Sequence, residues 1–124
     1  MAKILVVDDE EKLVDLYKDM LSKEGFNVIT ATNGREGLKL AEKEIPDLIL
    51  LDVMMPGMDG GTTARILLEN VKTKNIPIIF LTSIVTKEEE AEQEGQIGGR
   101  QFISKFSDRE DILKKVNDAL GIGK

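Results

Sequence analysis

Residues 47–61 read DLILLDVMMPGMDGG. Four apolar residues, Leu48 to Leu51, run unbroken between two aspartates, and a stretch rich in Met, Pro and Gly follows. A half-exposed strand alternates apolar and polar residues. A short continuous run is the mark of a strand buried on both faces, as in a parallel sheet. The pattern predicts a strand over 47–52 that ends in Asp52 and opens into a loop over 53–61.

Outward from this strand, the same pairing of short run and longer periodic segment repeats. Upstream, Ile4 to Val7 is a second continuous run. A helix follows from Glu11, with Leu13, Leu16, Tyr17, Met20 and Leu21 as its apolar stripe and Gly25 as its stop. Residues 26–31 read as a strand. Asn33-Gly34 is a turn or cap signal, and a weaker helix over 37–43 ends before Pro46. Downstream, a helix over 62–71 carries Ala64, Ile66, Leu67 and Leu68, and Ile78 to Leu81 is a further strand. Residues 87–96 favour helix but are almost wholly polar, with five Glu and one Lys. Phe102 and Ile103 mark a fifth strand. Ser107 or Asp108 caps a last helix with Ile112, Leu113, Val116 and Leu120 on its stripe and Gly121 after it. Strict alternation of apolar strands and helices predicts an α/β fold, a doubly wound parallel sheet of five strands covered by five helices. Fold statistics favour the flavodoxin-like order 2-1-3-4-5, with the ligand site beyond the carboxyl ends of the strands.

Composition narrows the chemistry. The chain has 124 residues, the size of a single domain, and a net charge of −6. That balance argues against binding nucleic acid or an anionic membrane surface. Cysteine and histidine are both absent, so thiolate nucleophiles, Ser-His-Asp triads and the usual zinc sites are excluded. What is left is carboxylates, hydroxyls, lysine, backbone amides and a hard metal. No apolar run approaches the ~20 residues of a membrane span, and no secretory signal is visible, so a cytoplasmic protein is expected.

The predicted strand ends hold Asp8-Asp9-Glu10, Asp52, Thr82-Ser83 and Ser104-Lys105. Taken singly, Asp8-Asp9 reads equally well as an acidic helix start, Asp52 as a turn opener and Lys105 as a surface lysine. All of them falling on one edge of one sheet is a different matter. Two carboxylates about 4 Å apart repel by roughly 4 kcal/mol at an effective dielectric of 20. Three together call for compensation by Lys105 and by a divalent cation with oxygen ligands, and Mg²⁺ suits such a set. Such a crevice attracts a phosphoryl group once metal and lysine are present, and a carboxylate can act as its nucleophile.

The stretches ILVVDDE, LILLDVMMPGMDG, IIFLTS and FISK, in this order, resemble the receiver domain of bacterial two-component response regulators. The resemblance runs from Ala2 to about Leu120 and implies one receiver domain over residues 1–124. It implies phosphorylation on Asp52, with Mg²⁺ held by Asp8, Asp9, Asp52 and the backbone carbonyl of Met54. It assigns the switch hydroxyl to Thr82, the phosphate-binding lysine to Lys105 and the switch aromatic to Phe102. Phe102 is expected to turn inward as Thr82 is drawn to the phosphoryl group. The implied donor is a histidine kinase or histidine phosphotransfer protein, because a chain without histidine cannot carry the phosphohistidine itself. The implied output is a protein partner on the face made by residues 87–96, the fifth strand and the last helix. The resemblance also implies that the domain promotes its own phosphorylation and dephosphorylation only, so no enzyme activity toward other substrates is expected.

Departures stand beside these matches. Phe106 follows Lys105 where the family usually has proline, which predicts a trans bond there. Gly98-Gly99-Arg100 replaces the usual approach to the fifth strand. Met54 and Ile84 are apolar where they flank the path of the hydrolytic water, which predicts a long-lived phosphoryl group. The chain ends at Lys124, just after the last helix, so either a stand-alone regulator or a piece of a larger one fits. A Mg²⁺-dependent phosphohydrolase of the haloacid-dehalogenase type is the alternative. It would need a second Asp where this chain has Met54. A nucleotide or flavin module would need a glycine-rich phosphate loop after the first strand, and there is none.

Overall fold

The computed structural model describes residues 2–82, 101–105 and 107–122. Strands β1 (Lys3–Val7), β2 (Asn27–Ala31), β3 (Leu48–Asp52), β4 (Ile78–Thr82) and β5 (Gln101–Ser104) form one parallel sheet. Their order is β2-β1-β3-β4-β5, the flavodoxin-like order expected. The helices are α1 (Glu11–Lys23), α2 (Gly34–Glu44), α3 (Gly60–Glu69) and α4 (Arg109–Leu120). The count of five helices is thus corrected to four among the described residues. The helix anticipated over 87–96 lies outside them, as do Ile84, the Gly98-Gly99-Arg100 approach and the Lys105-Phe106 bond.

Strand pleating splits the apolar residues into two cores, because successive side chains leave opposite faces. Leu5, Val7, Ile49, Leu51, Phe80 and Phe102 pack on one face, with Ala41 of α2 and Ala64 and Leu67 of α3. Ile4, Val6, Leu48, Leu50, Leu81 and Ile103 pack on the other, with Tyr17 and Leu21 of α1 and Ile112 and Val116 of α4. No residue of β3 or β4 is left exposed, which is why both strands read as continuous apolar runs.

The ends of the helices follow from local chemistry. Gly25 takes φ +94, and its N–H and that of Phe26 return to the Ser22 and Leu21 carbonyls. This is the paired closure that a left-handed residue permits, and Phe26 then packs in the same core as Leu21. On α1 the buried residues are Val14, Tyr17 and Leu21, whereas Leu16 is 60% exposed. Five apolar residues span more of the helix circumference than the sheet covers, so one edge of the stripe stays in water. Helix α2 starts three residues before its expected start because Asn33 caps it, its Oδ1 accepting from Glu36 N–H at 2.8 Å. Asp108 rather than Ser107 caps α4, with Oδ1 2.9 Å from Asp111 N. Replacing Asp108 by alanine is expected to cost about 1 kcal/mol, read as a lower urea midpoint at unchanged slope. An unchanged midpoint would show that the cap contributes nothing.

Candidate functional site

In the ladder, Val7 stands beside Leu51, Asp52 beside Leu81, and Thr82 beside Ser104. Strand ends are therefore level, and the next residues emerge at one edge. Asp8 continues β1, its N–H reaching the Ala31 carbonyl at 3.1 Å. Lys105 follows β5, its N–H donating to the Thr82 carbonyl at 2.8 Å. Sequence order alone scatters these groups over the chain; parallel register gathers them.

The Lys105 ammonium is the hub. Its Nζ lies 2.8 Å from Asp8 Oδ2, 3.1 Å from Glu10 Oε1 and 3.2 Å from Asp52 Oδ1. Asp8 is fully buried, Asp52 is 1% exposed, and Asp9 and Glu10 stand in solvent. Burial and the charge of Asp8 push the Asp52 carboxyl up to about 7, against the opposing pull of Lys105. Burial disfavours the Lys105 ammonium as well, yet hydrogen bonds to Asp8 and Glu10 and the charges of Asp8 and Asp52 hold it above the ordinary lysine range. Backbone donors complete the lining: Glu10 N–H reaches Asp8 Oδ1 at 2.9 Å and Met54 N–H reaches Asp52 Oδ1 at 3.2 Å.

Asp8, Asp9 and Asp52 each offer an oxygen, and these oxygens lie within 4.8 Å of one another. Among the described residues Asp52 Oδ2 is buried without a hydrogen-bond partner. An unpaired buried oxygen in an all-oxygen, all-anionic set fits a hard divalent cation, which prefers such ligands. The other expected site residues fall close by. Thr82 is buried at the end of β4, and Phe102 is buried in the core of β5. Phe102 is 1% exposed and packs in the core shared with Phe80 and Leu51. Met54 is 62% exposed.

Two contributors escaped the sequence reading, and a third was given no role there. Glu10, noted only as a strand-end acid beside Asp8 and Asp9, pairs with Lys105. The Met54 amide, rather than its side chain, holds Asp52, and a backbone donor leaves no mark in sequence. Gly60 packs directly on the Asp52 backbone, and its Cα has no room for a side chain. The Gly60-Gly61 doublet hinted at a tight approach.

Residues 4–117 match the family model of the response regulator receiver domain. Protein PilH of Pseudomonas aeruginosa is 39% identical over 124 residues, covering 97% of this chain and 98% of that protein. The alkaline phosphatase synthesis transcriptional regulatory protein PhoP of Bacillus subtilis is 44% identical over 111 residues, covering 87% of this chain and 44% of that one. The chain thus spans nearly all of PilH and under half of PhoP. Among solved structures, chemotaxis protein CheY4 of Vibrio cholerae superposes with a TM-score of 0.84 at 32% identity, covering 97% of this chain and 99% of that one. The haloacid-dehalogenase alternative finds no support in these matches, and no acidic residue stands at position 54. A crevice of carboxylates around one ammonium at the strand ends, in a chain that matches the family over 4–117, has one consistent reading: this protein belongs to the receiver domains of two-component response regulators, which are phosphorylation-switched signalling modules.

Proposed function

We propose that Asp52 is the phosphoacceptor, and that residues 1–124 act as one cytoplasmic receiver unit. Its donor is a phosphohistidine on a histidine kinase or a histidine phosphotransfer protein. The observation that carries this reading is the Asp52–Lys105 pair: a buried strand-end carboxylate with one oxygen unpartnered and an ammonium 3.2 Å from the other. In the reaction a carboxylate oxygen of Asp52 attacks phosphorus, the bond from phosphorus to the donor nitrogen breaks, and the imidazole leaves with that electron pair. Asp8, Asp9, Asp52 and the Met54 carbonyl are the residues that would hold Mg²⁺, which when bound neutralises carboxylate and phosphoryl oxygens.

The chain's own groups do the rest. Lys105 supplies a fixed positive charge beside the incoming phosphoryl oxygens. The Thr82 hydroxyl donates to one of them. Phosphorylation draws the Thr82 hydroxyl inward and turns Phe102 into the space it leaves, and a protein partner reads the face of residues 87–96, β5 and α4. Nucleic acid and membrane are not partners in this reading. Among the described residues no helix is long and apolar enough to cross a membrane. The protein promotes its own phosphorylation and dephosphorylation and turns over no other substrate.

Incubation with acetyl phosphate and Mg²⁺, followed by intact mass measurement, is expected to add one phosphoryl group to the wild type and none to Asp52→Asn. Equal labelling of the two proteins would remove the assignment. Omitting the metal is expected to suppress labelling of the wild type.

A further inference from the structure

Tyr17 is the single tyrosine of a chain without tryptophan. Helix α1 buries it to 1% exposure in the core that it shares with Val6, two residues before Asp8. Among the described residues its hydroxyl has no hydrogen-bond partner. An unpaired buried hydroxyl is a net cost, and phenylalanine would fill the same space without it. A group of this kind makes sense if another state of the molecule uses it.

The surroundings point to that state. Among the described residues Asp8 Oδ2 has one short contact, the Lys105 ammonium at 2.8 Å, and is otherwise without a partner. Tyr17 and Lys105 line the same cavity of about 310 Å³ between α1 and α4, together with Met20 and Ile112. Burial, and after it the charge of Asp8, pushes the phenol up to about 12. It therefore keeps its proton, and stays a donor, across the neutral range.

Lys105 is shared among Asp8, Glu10 and Asp52. A phosphoryl group on Asp52 adds anionic oxygens on one side of this shared ammonium and draws it away from Asp8. Asp8 Oδ2 then loses its one short contact, while Oδ1 keeps the Glu10 N–H, and a bound Mg²⁺ would offset the charge without supplying a hydrogen-bond donor. We propose that Tyr17 is a reserve donor, whose O–H takes over at the Asp8 carboxylate when Lys105 turns to the phosphoryl group. Tyr17 touches neither metal nor phosphoryl group in this scheme; it is a positioning residue that acts through Asp8. The inference rests on the reading of Asp52 as acceptor.

The test uses the whole chain with Mg²⁺ and beryllofluoride as the phosphoryl mimic. The near-ultraviolet tyrosine band belongs to Tyr17 alone. A hydrogen bond donated to a carboxylate moves that band to longer wavelength, so a red shift is expected on adding the mimic. Tyr17→Phe is expected to bind beryllofluoride about tenfold more weakly, the scale of one hydrogen bond to a charged group. Its melting temperature without metal is expected to be equal to that of the wild type or higher. A band that does not move, equal binding by the variant, or equal loss of stability with and without the mimic would overturn the reserve donor. If the wild type binds no beryllofluoride at all, the Asp52 reading falls with it; if it binds and the Tyr17 signals are silent, the reserve donor falls alone.

Discussion

Lys105→Met is expected to cost about 3–5 kcal/mol of folding stability near pH 8 in the absence of divalent metal, the scale of leaving a buried charge without its partner. The variant keeps the length and apolar stem of the side chain and removes only the ammonium. Asp8 and Asp52 then face each other in a buried crevice with Met54 and Glu10 amides as the remaining donors. The pH dependence follows from Asp52. Its carboxyl is held at about 7 in the folded chain, above the ordinary 3.8. Folding therefore favours the protonated form. The stability this contributes is complete below about pH 4 and is lost as pH rises through about 7. Without Lys105 the carboxyl is pushed higher still, so the gap between variant and wild type should widen from pH 5 to pH 8. Urea unfolding in chelator at the two pH values measures the gap. Added Mg²⁺ is expected to narrow it, since a ligand of the native state stabilises by mass action. Equal stability of the two proteins near pH 8 without metal would mean that the ammonium does not compensate the carboxylates.

Gly60→Ala is expected to be nearly as damaging, at about 3 kcal/mol, the upper range of overpacking a closed site. A Cβ at Gly60 would overlap the Asp52 carbonyl oxygen and stand 2.8 Å from Val53 Cα. Both obstacles are backbone, so no rotamer change relieves them. The loop over 53–59 closes on itself at this point, with Gly60 N–H donating to the Val53 carbonyl at 3.0 Å. A side chain there pushes apart the loop and the strand end that carries Asp52. Gly61, the next residue, is the control. A Cβ at Gly61 would meet only Asp59 Oδ1, at 3.6 Å. Gly61→Ala should therefore be neutral or stabilising by up to about 1 kcal/mol, the helix-propensity gain. Chemical denaturation of the two variants side by side decides the matter; equal effects would refute the close approach.

Sequence patterning reached far in this chain because its strands are buried on both faces. Leu48 to Leu51 has no polar interruption, which marks a strand covered on both faces; the alternation with helices implied a parallel sheet, and the strand order came from fold statistics. Asp8, Asp52, Thr82 and Lys105 were legible as strand ends, and register brought them to one edge. Legibility stopped where a contact depends on rotation or on backbone. Leu16 and Val14 exchange their expected burial because a helix turns by 100° per residue and the sheet covers only part of its surface. The N-terminus of α2 is set by one side-chain oxygen of Asn33, a weaker signal than the apolar stripe that follows. Met54 contributes an amide hydrogen bond that any residue but proline could make. Tyr17 read as one more apolar stripe position, since its ring packs as one and only its oxygen is out of keeping.

The reach of Lys105 also bears on how the chain acquires its structure. Its ammonium meets Glu10 across 95 positions of sequence, and the ladders themselves join distant residues, Ile4 with Leu48 and Ile79 with Gln101. Such closures cost chain entropy before their contacts repay it, and they are slow. During synthesis, Asp8 and Asp52 are both made well before Lys105. A nascent chain that docks β1 on β3 early would bring two carboxylates together with no ammonium to offset them. The edge that carries the acids is thus the least stable part of a partly made sheet. It gains the Lys105 counter-charge only when the segment carrying β5 arrives, so completion of the acidic crevice coincides with completion of the sheet.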